Sequence, residues 1–248
     1  MTRMLAIDIG NTNVTVGLFR GRKLIRKKKM PAKAYAAHER GFRRLRGRGE
    51  DICDVIISNV EPLVLARVVC CLNKIGRFNI IILGRDKTVP IKNLYRNKKE
   101  VGQDRLVNAV AARELYGAPA VIIDFGTAVT FDVVSRKGEY LGGLILPGIE
   151  MSLTNLYKKT ALLPRVELKP AKNIIGKDTV NSIRGGILFG LGATCDGLVA
   201  QYKKILGKDV KVIATGGNAR LIKRYAKSIR VIDNDLTLKG LNLTNPTA

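Results

Sequence analysis

An aspartate, a glycine two positions on and a nearby threonine occur twice in this chain, each time between two apolar, β-rich runs. Residues 5–19 read LAIDIGNTNVTVGLF and residues 120–134 read AVIIDFGTAVTFDVV. With one residue deleted from the first turn, Asp8 aligns with Asp124, Gly10 with Gly126 and Thr12 with Thr127. Glycine lacks a Cβ, so backbone there can turn sharply and approach a ligand. Successive turn N–H groups, helped by Asn11 and Thr12, can cradle a phosphate. An aspartate at the strand end can hold a Mg²⁺ that bridges phosphate oxygens, usually through water. One such turn is an ordinary hairpin; two copies in separate halves point to a two-lobed nucleotide phosphotransferase with the phosphates held between the lobes.

Two further motifs supply the remaining chemistry. GQDR (102–105) offers Asp104 to accept a hydroxyl proton and Arg105 to pair with a carboxylate or the transferred phosphoryl group. Phosphoryl transfer asks mainly for positioning and charge neutralisation, so one carboxylate and one arginine suffice. TGGNA (215–219) follows a strand pattern and precedes a helix, and its paired glycines would let a flat nucleoside lie against the backbone. A P-loop sequence is absent, and DFG at 124–126 lacks the HRD loop and Gly-rich loop of protein kinases. The single histidine, His38, excludes a multi-histidine metal site.

The elements that must carry these residues are legible from patterning. Strands are expected at 4–9, 14–19, 23–30, 54–60, 79–84, 120–125, 128–134 and 139–146. Helices are expected over 34–49, from Pro62 to Gly76, over 104–117 with Asp104 as the cap, over 147–160 opened by Pro147, and over 179–207. The last contains Gly185, Gly186, Gly190 and Gly192, each costing a lone helix about 1 kcal/mol relative to Ala. Close packing against a partner would account for them, so this helix is a candidate dimer surface. Strands followed by helices, twice over, give an α/β architecture. The division falls at 1–117, with the first phosphate hairpin and the base, and 118–248, with the second hairpin, the adenosine-site turn and the dimer helix.

Composition bounds the class. The chain has 248 residues and 46% hydrophobic content, enough for a substantial core. No apolar run reaches the roughly 18–20 residues of a membrane span. No leader profile precedes the first strand, so a cytoplasmic protein without membrane partners is expected. Cys53, Cys70, Cys71 and Cys195 lack metal spacing and are expected to be reduced and buried. The net charge is +24, and residues 1–50 hold 14 Lys/Arg against 3 Asp/Glu. A nucleic-acid surface would read this way, but Phe42 is the sole aromatic in the basic pieces 20–29 and 40–48. A solvated face that also attracts an anionic nucleotide is the favoured account.

Taken in order, DIGNTNVTVGLF, GQDR, DFGTAVTFDVV, GGLILPGIEMSLTNL and TALLP resemble type III pantothenate kinase. The resemblance spans Met4 to about Ala226. It implies an actin-like (ribonuclease H-like) two-lobed ATPase fold with duplicated mixed sheets flanked by helices, and ATP-dependent phosphorylation of pantothenate to 4′-phosphopantothenate, the first step of coenzyme A biosynthesis. It implies that Asp8, Ile9, Gly10, Asn11, Thr12, Asn13, Val14 and Thr15 bind the ATP phosphates, with Asp8 near Mg²⁺, and that Thr127 contacts ATP. Asp104 becomes the general base, and Tyr95, Gly102, Gln103, Asp104 and Arg105 become pantothenate contacts. Asp124 becomes the ligand of a monovalent cation, K⁺ or NH₄⁺. Thr179 becomes a pantothenate contact from the second subunit of a homodimer. One departure is visible: in YRNKKEV (95–101), Lys98 stands where the family commonly has proline. Two other readings use the same fold: a catalytically inactive transcription accessory or nucleic-acid-binding protein, and a kinase for another small hydroxy acid.

Overall fold

The computed structural model describes residues 3–46 and 52–245. The chain divides into two compact units, Met1–Leu115 with Asp235–Ala248, and Tyr116–Asn234.

The first unit is built on a five-stranded sheet in the order β3-β2-β1-β4-β5. Its strands are β1 (Arg3–Ile9), β2 (Asn13–Arg20), β3 (Lys23–Pro31), β4 (Ile52–Asn59) and β5 (Asn79–Ile82). β1, β2 and β3 form an antiparallel meander, while β4 and β5 run parallel to β1. Alternation along β1 and β2 sends Leu5, Ile7, Ile9, Val14, Val16 and Leu18 into one core, packed with residues of α1 (Tyr35–Arg46) and α2 (Pro62–Ile75). Each such buried side chain contributes about 1.5–3 kcal/mol. Asp8 necessarily faces the other side of the sheet.

The second unit repeats this plan in the order β10-β9-β6-β7-β8. β6 (Ala120–Phe125), β7 (Ala128–Val134) and β8 (Tyr140–Pro147) form the meander, and β9 (Lys211–Thr215) and β10 (Val231–Ile232) are the parallel pair. β6 therefore corresponds to β1 and β9 to β4. The core lies between this sheet and α4 (Ile149–Lys159), α5 (Thr179–Leu206) and α6 (Ala219–Ile222).

Several expectations change. The final helix, α7 (Leu236–Leu243), belongs to the first unit, not to the second half of the chain. A Cβ on Gly240 would overlap the carbonyl of Val107, in α3 (Gln103–Tyr116), and Thr237 Oγ1 bonds Asn108 Oδ1 at 2.8 Å. Asp104 sits inside the first turn of α3 and does not cap it; Gly102 carries the carbonyl that Arg105 and Leu106 N–H reach. Pro147 ends β8, and Gly148 caps α4. Cys195 is buried, with its thiol pushed up to about 12 mainly by burial, whereas Cys70 is exposed and Cys71 only half-buried; all three are free. Cys53's side chain lies outside the described residues. One described helix, α5, is long and apolar enough to cross a membrane by length and composition, with a mean hydropathy of 1.3 over its best 18 residues. Its glycines and alanines keep that mean high although no uninterrupted apolar run exists.

The basic front has a structural reading. β3 is an edge strand, and lysine on an edge discourages pairing with another chain. Lys27 Nζ meets Asp235 at 2.6 Å and Arg26 donates to the carbonyl of Leu45 at 3.2 Å. Residues 47–51, the end of the basic stretch, lie outside the described residues. His38 is fully buried, with Nε2 3.0 Å from the carbonyl of Pro31 and its ring edge-on to Tyr35.

Candidate active site

The two acidic turns are copies in geometry as well as in sequence. Asp8 stands opposite Thr15 across the β1–β2 ladder, and Asp124 stands opposite Thr130 across β6–β7. The next rung is Ile9 with Val14 in one copy and Phe125 with Val129 in the other. Gly10 N–H closes the first turn on the carbonyl of Asn13 at 2.9 Å, and Gly126 N–H closes the second on that of Ala128 at 3.1 Å. The first turn is one residue longer, which is the deletion the alignment required. Asn11, Thr12, Gly126 and Thr127 are exposed at the tips, while Asp8 and Asp124 are half-buried.

Neither turn glycine is demanded by the turn itself. Both lie outside the left-handed region, and a Cβ would sit 3.4 Å from the Asn13 carbonyl at Gly10 and 3.5 Å from the Ala128 carbonyl at Gly126. Those are ordinary contacts. A glycine the fold does not need fits a backbone that a ligand must approach closely.

In the first unit, Asp8 is joined by the ends of β4, β5 and α3. Ser58 pairs with Asp8 across the parallel β1–β4 rung, and the ladder continues through Val60 N–H to the carbonyl of Ile9 at 3.0 Å. A Cβ on Gly102 would overlap Oδ1 of Asp104 and lie 3.8 Å from Val60. Gly84, with φ +83, leaves room for the Gln103 side chain that a Cβ would meet at 2.9 Å. The GQDR segment is thus seated on the carboxyl ends of parallel strands, the usual ligand position in open α/β sheets. Burial pushes the Asp104 carboxyl above the ordinary carboxylate range, opposed by the Arg105 backbone N–H at 2.9 Å and by the Arg105 charge. Arg105 itself is buried. Tyr95 is half-buried in the preceding loop, with its N–H on Asn93 Oδ1 at 2.9 Å. Asn97 accepts from Lys99 N–H and caps a short 3₁₀ turn, Lys98–Glu100.

In the second unit, three segments converge on the Asp124 turn. Thr215 pairs with Asp124 across β6–β9. Gly216, at φ +88, lies against Asp124 and Phe125: a Cβ there would stand 2.5 Å from Asp124 Oδ1 and 2.7 Å from the Phe125 backbone. A Cβ on Gly148 would overlap the carbonyl of Thr127. TGGNA and the start of α4 are therefore fixed against the second turn. Sequence reading passed over Gly148; its signal was PG directly before a helical pattern. Thr179 stands apart, as the exposed first residue of α5 whose cap, Asp178, bonds Asn181 N–H at 2.8 Å.

Among the described residues no three His, Cys, Asp or Glu side chains are grouped to hold a metal. Cations here would be met by single carboxylates, with phosphates and water completing the shell, as Mg²⁺ with a nucleotide usually is. At Asp124 the residues fit a cation: the glycines at 126 and 216 keep the space beside Oδ1 free of any Cβ.

The model of the family described as type III pantothenate kinase matches residues 4–201. A type III pantothenate kinase from Syntrophus aciditrophicus (strain SB) is 40% identical over 247 residues, covering 97% of each chain. The chain belongs to the type III pantothenate kinase family. Solved structures agree on the fold. A Campylobacter jejuni protein described as a Baf family transcriptional activator superposes with a TM-score of 0.61 at 19% identity, covering 98% of this chain and 100% of its own. MreB 5 of Spiroplasma citri, bound to AMPPNP, gives 0.50 at 13% identity, covering 100% and 97%. At these identities the likeness is one of fold alone, the actin-like fold of two mixed sheets flanked by helices.

Proposed function

We propose that the protein transfers the γ-phosphoryl group of ATP to the terminal hydroxyl of pantothenate, giving 4′-phosphopantothenate at the entry to coenzyme A synthesis. The observation that carries this is the conjunction, on one family framework, of two acidic glycine turns with a carboxylate of raised pKa on the GQDR helix. Asp8 through Thr15 take the phosphates, and Thr127 adds a hydroxyl from the second turn. Mg²⁺ held near Asp8, through water, would neutralise phosphate charge; K⁺ or NH₄⁺ at Asp124 would do the same beside Thr127.

Asp104 accepts the hydroxyl proton as the substrate oxygen bonds to phosphorus and the bond to the ADP oxygen breaks. Its burial makes it a better proton acceptor than a solvated aspartate. Arg105 pairs with the pantothenate carboxylate or the moving phosphoryl group, and Gly102, Gln103 and Tyr95 complete the substrate contacts.

Thr179 reaches pantothenate from a second subunit. The homodimer reading draws support from α5, where Gly186, Gly190, Ala193 and Gly197 form an exposed stripe at helical spacing. A Cβ at any of the three glycines would meet nothing within 4 Å, so no packing among the described residues accounts for them. A cytoplasmic site of action goes with this reading. The basic face attracts anionic substrate, and nucleic-acid binding is not favoured, because a pure binder has no use for Asp104.

A coupled ADP-release assay tests the proposal. Turnover is expected only with pantothenate present, and faster in K⁺ than in Na⁺. Turnover of another hydroxy acid in preference to pantothenate would overturn the substrate assignment, and equal rates in the two salts would remove the cation from Asp124.

A further inference from the structure

Ser58 is a buried hydroxyl that the fold does not use. It is 0% exposed, and its Oγ has no hydrogen-bond partner among the described residues. Its neighbour along the rung is Asp8, whose Cα partner on β4 is Ser58 in a parallel ladder. Residues paired in this way project from the same face of the sheet, about 4.8 Å apart. Ile7 and Ile9 of β1, and Val55 and Ile57 of β4, lie in the helix-packed core, so Asp8 and Ser58 share the opposite face. Two residues further on, Val60 Cγ1 lies 3.8 Å from where a Cβ on Gly102, the residue before α3, would stand.

A buried hydroxyl without a partner costs stability, and a small apolar residue would pack there without that cost. The backbone at Ser58 is regular strand and requires no serine. The hydroxyl therefore answers to something other than folding. Asp8 is the polar group one strand away, and a small change of rotamer would bring Oγ–H to its carboxylate. In this arrangement Ser58 donates and Asp8 accepts, which would fix the orientation of the carboxylate that would hold Mg²⁺.

We propose that Ser58 is a positioning residue for phosphoryl transfer, its hydroxyl orienting the Asp8 carboxylate when Mg²⁺ and ATP are bound. This rests on the reading of Asp8 as the carboxylate nearest Mg²⁺. It acts through Asp8 and does not itself touch the reacting atoms.

The test compares Ser58→Ala, Ser58→Thr, Asp8→Asn and the Ser58→Ala/Asp8→Asn double variant, each as the full chain. Two readouts are used: the melting temperature without ligand, and the Mg²⁺ concentration that half-saturates binding of a non-hydrolysable ATP analogue, measured by calorimetry without pantothenate. Ser58→Ala is expected to melt at the same or a higher temperature while needing roughly five- to tenfold more Mg²⁺. Ser58→Thr, which keeps the hydroxyl, is expected to restore most of the Mg²⁺ response. In the double variant, Ser58→Ala is expected to add nothing to Asp8→Asn, because coupled residues are not additive. A lowered melting temperature with an unchanged Mg²⁺ requirement would make Ser58 structural and overturn the proposal. Should Asp8→Asn shift the Mg²⁺ requirement and Ser58→Ala not, the proposal fails alone. Should neither shift it, the Asp8 reading fails and takes the proposal with it.

Discussion

Replacing Gly10 with alanine separates what the fold needs from what the nucleotide needs. Gly10 is outside the left-handed region, and the added methyl would rest 3.4 Å from the carbonyl of Asn13, an ordinary contact. The folded state therefore bears no steric cost. The unfolded chain loses freedom, and such a replacement stabilises by about 0.4–1 kcal/mol where the backbone accepts it. At about 2–4 °C per kcal/mol for a chain of this size, the melting temperature should stay level or rise by up to about 4 °C. Nucleotide binding should behave in the opposite way. The methyl occupies the face of the turn that a phosphate must approach, and one hydrogen bond to a charged group is worth about 1.5–3 kcal/mol. At about 1.4 kcal/mol per factor of ten, the apparent ATP KM should rise about ten- to 150-fold. A thermal melt and a steady-state ATP titration on the same preparation decide the matter. An ATP KM within a factor of two of the parent would refute the reasoning, because the turn would then not approach phosphate at all.

Three other outcomes follow from the geometry. Asp104→Asn should lower kcat by at least about 10²-fold. Because burial raises the folded pKa of Asp104, the native state binds a proton that the unfolded state has released, so its contribution to stability falls as pH rises from the unfolded value of 3.8 through the raised folded value; Asp104→Asn should flatten that slope in melts taken across pH and be no less stable at pH 7. Gly216→Ala combines a left-handed backbone, costing about 1–2 kcal/mol, with a methyl driven against Asp124 Oδ1; melting should drop by several degrees, and K⁺ activation should be lost, with retention of both counting against a cation cradle at Asp124. Lys98→Pro should be accepted, since Lys98 opens the 3₁₀ turn and Asn97 before it is extended (φ −107, ψ 97); a gain of about 0.4–1 kcal/mol with unchanged pantothenate KM is expected, and a raised KM would show that the lysine has a task of its own.

The parts of this molecule governed by local pattern could be read directly from the chain. The two acidic turns announced themselves because a hairpin needs contiguous residues, and both Asp–Thr rungs sit within eight residues of sequence. A duplicated architecture followed from the same repeat, now visible as two sheets of matching strand order, whereas the actin-like class came with the family resemblance. What escaped depends on approach between distant segments. Gly148 is explained only by the carbonyl of Thr127, and Gly216 only by Asp124 and the Phe125 backbone. Ser58 looks like any strand serine until its rung partner and its burial are known. α7 escaped because its apolar residues give no clue that Gly240 will close on Val107. Asp104 reads as a cap because aspartate before a helical run is the usual cap signal, whereas the helix begins one residue earlier, at Gln103.

The return of α7 to the first sheet has a consequence for how the protein is made. Chains emerge from the ribosome N-terminus first, and domains tend to fold as units as they appear. Here residues 116–234 form a continuous stretch and can settle as soon as they have left the tunnel. The earlier-born unit must wait, because Gly17 meets Leu238 and Met4 meets Asn242, partners that are translated after the whole of residues 116–234. Birth order and completion order are thus reversed, and the sheet that bears Asp8 gains the cover of α7 only after residues 116–234 have been synthesised.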